Sequence, residues 1–301
     1  EINDYLKNTR VLLDKAVHGH EQTKIQVVQL IAQWISNPES GGNMIGIQGP
    51  MGTGKTTIVK EGIAKAIDRP FFFITLGGAS DSSFLEGHSY TYEGSTWGRI
   101  SEVLMQAQCM NPVFYFDELD KVSKTPKGDE IINALIHLTD GTQNTQYQDK
   151  YFSGIDVDLS QSVFIFSYNN MADINPILLD RLVNIKISNF KVDDKLSIAN
   201  NYLIPAIERK LGLEKDNIVF DEKCLKYIIE DFTDEEGVRT LKKNIDSICS
   251  KINVFMLTNN KDILPYDIGN LEYPFTINDS IIDALLLKDE EKDEAIPFMY
   301  M

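Results

Sequence analysis

Apolar residues fall in five short runs along the first part of the chain, at 44–48, 71–76, 113–117, 163–167 and 184–188. Each run is short and dense in aliphatic and aromatic residues, which predicts strands buried on both faces. Most of the intervals between them carry helix-period patterns, so the predicted fold is α/β, a parallel sheet covered by helices on both sides. After Phe190 no further strands are expected. Ala199, Tyr202, Leu203, Ala206 and Ile207 form a helical stripe with Pro205 as a kink, and Val238, Leu241, Ile245, Ile248 and Ile252 form another with spacings of three and four. The pattern divides the chain into a domain over 1–190, a small helical domain over 191–258 and an irregular or partly extended appendage over 259–301, where Pro265, Gly269 and Pro274 interrupt any long period. No internal repeat is visible.

The first predicted strand runs directly into Gly49-Pro50-Met51-Gly52-Thr53-Gly54-Lys55-Thr56, which fits G-x-x-x-x-G-K-[ST], and a helical pattern begins at Thr57. Strand, glycine loop and helix together are the context in which this motif cradles phosphate. Glycines let backbone N–H groups wrap the phosphates and the helix start adds a favourable dipole. Lys55 reaches the β and γ oxygens, and Thr56 offers a hydroxyl to Mg²⁺. Gly49 to Thr57 are therefore the candidate nucleotide-binding residues, with Thr56 also a metal ligand.

A second candidate element is Pro112-Val113-Phe114-Tyr115-Phe116-Asp117-Glu118, an apolar run ending in two acids. Read as a buried parallel strand, it delivers both carboxylates to the edge of the sheet where ligands bind in open α/β folds. There Asp117 holds Mg²⁺ directly or through water, and Glu118 orients and deprotonates an attacking water. A solvated strand end is the competing reading for an Asp-Glu pair.

Composition narrows the surroundings. No run of 18 apolar residues exists, so no membrane-spanning helix is expected. The chain opens on Glu1 and polar sequence without a visible signal peptide, and the absent initiator Met points to a fragment of a longer polypeptide. Cys109, Cys224 and Cys249 are far apart and odd in number, as expected of thiols in a reducing intracellular compartment, cytoplasm or organelle matrix. They form no metal-ligand spacing with His18, His20 or the other histidines. With 45 acidic residues against 29 basic ones the net charge is −16, which opposes non-specific nucleic-acid binding over most of the surface.

Taken with the nucleotide loop and the acidic strand, several further segments resemble the AAA+ ATPase module of the Lon protease family. The resemblance extends over residues 14–258. Gly87-His88-Ser89-Tyr90-Thr91-Tyr92-Glu93-Gly94 is similar to the family's G-H-R-R-T-Y-x-G, and Asp117-Glu118-Leu119-Asp120-Lys121 to its D-E-[IV]-D-K. Asp149-Lys150-Tyr151-Phe152 through Asp158-Leu159-Ser160 resembles its D-H-Y-L and D-L-S hairpin. Asn175-Pro176-Ile177-Leu178-Leu179-Asp180-Arg181 resembles P-x-P-L-L-D-R with both prolines replaced, and Glu236-Gly237-Val238-Arg239 its A-G-V-R.

The resemblance implies a P-loop ATPase domain followed by a helical lid, using ATP or ADP with Mg²⁺. It places Asn169 at the sensor-1 position, where an amide bonds the γ-phosphate or attacking water, with Asn170 the competing choice. Arg181 looks like the arginine finger of a neighbouring subunit's site, an effect of ~10³-fold or more in rate. Arg239 resembles sensor 2 on the lid. A surface ion pair is the alternative for each arginine. Adenine is expected near Val17 to His20, with His18 and Gly19 in contact, and around Tyr202, which could instead be a core aromatic.

Tyr92 matches the pore-loop aromatic that grips an extended polypeptide in a homo-oligomeric ring, expected to be a hexamer. Here Ser89-Tyr90 replace two arginines, Glu93 occupies a usually apolar position, and Trp97 replaces a proline. A ring of Glu93 carboxylates would repel acidic substrates. The family's protease domain, with its Ser-Lys dyad, has no counterpart in 259–301, so it is expected either downstream in the parent protein or as a separate partner. The function classes in play are an ATP-driven unfoldase or remodeller, the ATPase portion of a full-length Lon protease, and an ATP-switched assembly protein, with a nucleic-acid motor remote on charge grounds.

Overall fold

The computed structural model describes residues 1–38, 44–91, 93–214, 217–258 and 274–294, with side chains in the last segment as far as Leu286. The chain forms two compact units, Glu1–Pro50 with Gly54–Ser188, and Met51–Thr53 with Asn189–Met301.

In the first unit, β1 (Met44–Gln48), β2 (Phe71–Thr75), β3 (Val113–Asp117), β4 (Val163–Tyr168) and β5 (Val183–Lys186) pair in the order β2-β3-β4-β1-β5, every pair parallel. This is the parallel sheet the apolar runs predict. Alternation along each strand sorts side chains to two faces. One face is aromatic, with Phe114 stacked on Phe164 at 5.2 Å between centroids and Phe116 on Phe166 at 5.0 Å. Around it pack residues of α4 (Ser83–Glu86), α5 (Arg99–Ala107), α6 (Pro126–Leu138) and α7 (Pro176–Asp180). The other face is largely aliphatic, built from Ile45, Ile47, Val113, Val163, Ile165 and Ile185 with Tyr115 among them. It is covered by α1 (Ile2–Ala16), α2 (Glu21–Ser36) and the helix that leaves the glycine loop, α3 (Lys55–Thr57), which runs on as a π-helical segment over Ile58–Ala64. Lys24, nearly fully buried on α2, is paired with Asp14 of α1, which accepts from its Nζ at 2.9 Å.

The second unit has its own core, centred on Leu225, Leu241, Ile245, Ile248, Cys249 and Ile252. Its helices are α8 (Val192–Ile198), α9 (Ile204–Leu211), α10 (Glu222–Asp231), α11 (Arg239–Thr258) and α12 (Asp279–Glu294). Between α8 and α9 lies a π-helical segment, Ala199–Leu203, just before Pro205. The ring nitrogen of Pro205 cannot donate to the preceding turn, and the wider turn accommodates that loss where a kink is expected from sequence.

Two expectations are corrected here. Strands do not end at Phe190, since β6 (Ile218–Phe220) and β7 (Phe275–Ile277) form a parallel two-stranded sheet. The stretch 259–301 is also not irregular throughout, because β7 and α12 supply Phe275, Ile277, Ile281, Ile282 and Leu285 to the core of this unit. Three-residue strands are too short to establish a period of two, and β7 finds its partner more than fifty residues away.

Ile282 is fully buried. Ile282→Ala should therefore lower the unfolding free energy by about 2–5 kcal/mol, read as an earlier denaturant midpoint. An unchanged midpoint would mean that α12 is not part of the core.

Candidate functional site

The carboxyl ends of β1, β3 and β4 lie side by side, because β4 pairs with both of the others. Each end carries polar residues. The loop after β1 contains Gly52 and Gly54 with φ of +75° and +89°, the left-handed region that glycine enters without cost. Lys55 follows at the start of α3. Its Nζ donates to the carbonyls of Gly49 at 2.6 Å and Pro50 at 2.9 Å, and to Asn169 Oδ1 at 2.7 Å. Burial lowers the Lys55 pKa, while Asp117 and Asp120 nearby favour the charged form. Of the two adjacent asparagines, Asn169 is the one bonded to Lys55, and Asn170 instead caps the turn Met171–Asp173.

Asp117 ends β3 half-buried, and Ser167 on β4 donates to its Oδ1. Glu118 is the next residue and is exposed, in left-handed backbone at φ +61°, an uncommon conformation for a residue with a β-carbon. A β-carbon on Gly77, just beyond β2, would lie 2.3 Å from Glu118 Oε2, so the absence of a side chain there makes room for the carboxylate. Thr56 presents its hydroxyl 3.2 Å from the phenol of Tyr115, whose pKa burial pushes up to about 12.

Sequence reasoning missed three contributors. Tyr115 and Ser167 sit inside apolar strands, where pattern alone assigns them to packing. Asp120, buried after the acidic pair, accepts from the backbone N–H groups of Asn169 and Asn170 at 3.2 Å each. It thereby fixes the turn that carries the asparagine. The last residue of the D-E-x-D segment was the available signal, an acid placed where a buried carboxylate must find donors.

The remaining candidates are distributed as follows. His18 and Gly19 lie between α1 and α2, where Gly19 and His20 both have positive φ. In the second unit, Tyr202 is 39% exposed and so is not a core aromatic. Arg239 is the exposed first residue of α11. The loop tip Met51–Thr53 groups with that unit, and the Val238 N–H donates to the Gly52 carbonyl at 3.2 Å. Thr53 is fully buried, while Met51 and Thr57 are exposed. Arg181 follows α7 and pairs with Asp140 at 3.0 Å while also donating to the Ile136 carbonyl at 3.2 Å, so in the single chain it is engaged in an ion pair. Tyr92 lies outside the described residues. Glu93 is exposed, and the base of its loop is anchored by Asp149, which accepts from Gly98 N at 2.8 Å and Ser101 Oγ at 2.6 Å. Trp97 stacks on Phe152 at 6.1 Å and meets Tyr151 edge-on at 5.8 Å, filling with aromatic contact the position read as a replaced proline.

A glycine loop opening into a helix, with carboxylates and an asparagine on the adjoining strand ends, is the arrangement of a P-loop nucleotide-binding domain. Comparison with known proteins narrows the class. Residues 45–189 match the family model of the ATPase family associated with various cellular activities (AAA), and residues 209–263 match the Lon protease AAA+ ATPase lid domain. The chain is 43% identical over 252 residues to a Lon protease homolog of Acanthamoeba polyphaga mimivirus, covering 83% of this chain and 24% of that protein. It is 39% identical over 254 residues to the Lon protease of Clostridioides difficile (strain 630), covering 84% and 32%. With that of Helicobacter pylori (strain ATCC 700392 / 26695) it shares 38% over 266 residues, covering 85% and 32%. The chain thus belongs to the AAA+ ATPases of Lon type, and it spans about a quarter to a third of the length of these relatives. Among the described residues no helix is long and apolar enough to cross a membrane.

Asp140 offers a test of the ion pair. Its carboxyl is held down to about 2, first by the hydroxyl and backbone N–H of Thr142 and then by Arg181. An aspartate depressed in this way contributes stability above the ordinary carboxylate range and loses it as pH falls towards 2. Carboxyl NMR should show a midpoint near 2 that rises in both Thr142→Val and Arg181→Ala. A midpoint unmoved in both variants would contradict these contacts.

Proposed function

We propose that the chain binds ATP with Mg²⁺ at the carboxyl edge of its first sheet and hydrolyses it to ADP and phosphate as the motor of a homo-oligomeric ring that unfolds or remodels polypeptides. The observation that carries this reading is the environment of Lys55. Its ammonium is surrounded by three neutral oxygens within 2.9 Å and is in no ion pair among the described residues. A partly desolvated cation in a glycine loop, satisfied only by neutral acceptors, gains most from an anion such as a triphosphate.

The residues present fit Mg²⁺. Thr56 and Asp117 are hard oxygen donors, and Mg²⁺ is commonly held by one or two protein oxygens with phosphate and water completing its shell. Among the described residues no cluster of three His, Cys, Asp or Glu side chains could hold a metal. When held by Thr56 and Asp117, the ion would supply positive charge that offsets the charge developing on the phosphates. Gly49 to Thr57 bind and orient the phosphates, with Lys55 moving from loop carbonyls to phosphate oxygens. Glu118 takes the proton of the attacking water. Asn169, held in place by Asp120, orients that water or the γ-phosphate. Residues 1–190 then act as the nucleotide-binding domain and 191–258 as its lid, with Arg239 as sensor 2, and His18, Gly19 and Tyr202 lining the adenine.

Arg181 acts on a neighbouring subunit in this reading, exchanging Asp140 for the transferred phosphoryl group, and Tyr92 with Glu93 contacts the threaded polypeptide. The relatives' name and the chain's share of their length favour a parent protein in which this module drives a protease domain. Free thiols at Cys109, Cys224 and Cys249 fit a reducing, intracellular setting.

Lys55→Ala should weaken binding of ADP by ~10²-fold through loss of charge-assisted hydrogen bonds. Glu118→Gln should keep binding and lower turnover by about 10²- to 10⁴-fold, as removal of a general base does. Wild-type turnover in Glu118→Gln would show that another group is the base. Turnover per chain should also rise with protein concentration, and added Arg181→Ala chains should poison wild-type ones. Concentration-independent turnover from a monomer would contradict the shared site.

A further inference from the structure

We infer that Tyr115 is a positioning residue that ties together the two side chains proposed to hold Mg²⁺, Thr56 and Asp117, an inference that rests on the metal reading above. β3 alternates, so Phe114 and Phe116 belong to the aromatic face of the sheet and Val113 and Tyr115 to the aliphatic one. Asp117, two residues beyond Tyr115, continues on the side where the helix leaving the glycine loop packs. The Tyr115 ring is fully buried and flanked by Phe71 and Phe73 at 5.6 and 5.7 Å. From there its hydroxyl lies 3.2 Å from Thr56 Oγ1, beside Ser167 and Asp117, and Ser167 donates to Asp117 Oδ1.

Packing asks only for an apolar side chain at this position, so the hydroxyl has a separate consequence. In a network of three hydroxyls and one carboxylate, the carboxylate can only accept. The protons therefore run towards Asp117. Ser167 donates to Asp117, and in the arrangement we infer the Tyr115 hydroxyl turns its proton the same way, so that its oxygen accepts from Thr56. Thr56 is left with its lone pairs free on the side away from the ring, which is the orientation a cation requires. Without the phenol, Thr56 loses its buried acceptor and Asp117 one of its donors, and both must be ordered by the metal itself. Outer-shell partners of this kind commonly change metal affinity by 10- to 100-fold.

Tyr115→Phe keeps the ring and removes the hydroxyl. Binding of a slowly hydrolysed ATP analogue, titrated by calorimetry at rising Mg²⁺, separates the roles. The variant should bind the analogue without metal within about twofold of wild type and need about tenfold more Mg²⁺ for half-maximal enhancement. In a Thr56→Ala background the same substitution should add much less, because the hydroxyl it orients is gone. A purely structural role would instead weaken metal-free binding and lower the melting temperature with no change in the Mg²⁺ midpoint, which overturns the inference. An unchanged midpoint in Tyr115→Phe beside a shifted one in Thr56→Ala overturns it while leaving the metal reading intact. Binding that ignores Mg²⁺ in the wild type overturns both.

Discussion

The ammonium of Lys55 lies between the loop after β1 and the turn after β4, bonded to the carbonyls of Gly49 and Pro50 and to the side chain of Asn169. Those two segments belong to neighbouring parallel strands, so one cation joins the ends of both. Asp120 reaches the same turn from the end of β3 and takes the N–H groups of Asn169 and Asn170. Three strand ends are thereby linked through polar contacts made within a partly desolvated edge. Such contacts are stronger than in water, and costly if any partner is withdrawn. Nucleotide binding on this account is an exchange, in which phosphate oxygens replace carbonyls around Lys55 while the rest of the frame stays fixed.

The frame is rigid because the sheet beneath it is filled from both sides. Stacked phenylalanines on one face and aliphatic residues on the other leave the strands little freedom to shift register. At its carboxyl edge this packed layer carries the polar side chains of Tyr115, Asp117 and Ser167, beside Thr56. One residue at this edge also holds a left-handed backbone. Glu118 is held at positive φ, with Gly77 giving its carboxylate space. A residue kept in an unfavourable conformation beside a phosphate loop is consistent with a position selected for chemistry rather than for stability.

Much of this was legible in the sequence because its signals are local. The five strands announce themselves as apolar runs, and Gly49 to Thr56 is a contiguous motif whose flanking elements could be checked in the same stretch. Asp117 follows from closing such a run, and Asn169 from the resemblance of the turn after the fourth run to the family's sensor-1 position. What was not legible depends on contacts between distant segments. The β6–β7 pair joins residues that neither strand's pattern identifies, and residues 275–286 read as irregular or partly extended although they complete a core. Tyr115 and Ser167 look like ordinary strand residues until β3 and β4 are set in register and the helix after the glycine loop is laid across them. Arg181 shows the same limit, since its partner Asp140 lies at the end of a different helix and no spacing in sequence relates them.

The most direct test of the account is a structure of the chain with Mg²⁺ and a slowly hydrolysed ATP analogue. Lys55 Nζ should leave the carbonyls of Gly49 and Pro50 for the β and γ oxygens, with Thr56 and Asp117 at the metal and Asn169 still held by Asp120. A nucleotide bound elsewhere, or phosphates in the loop with Lys55 still on its carbonyls, would contradict it.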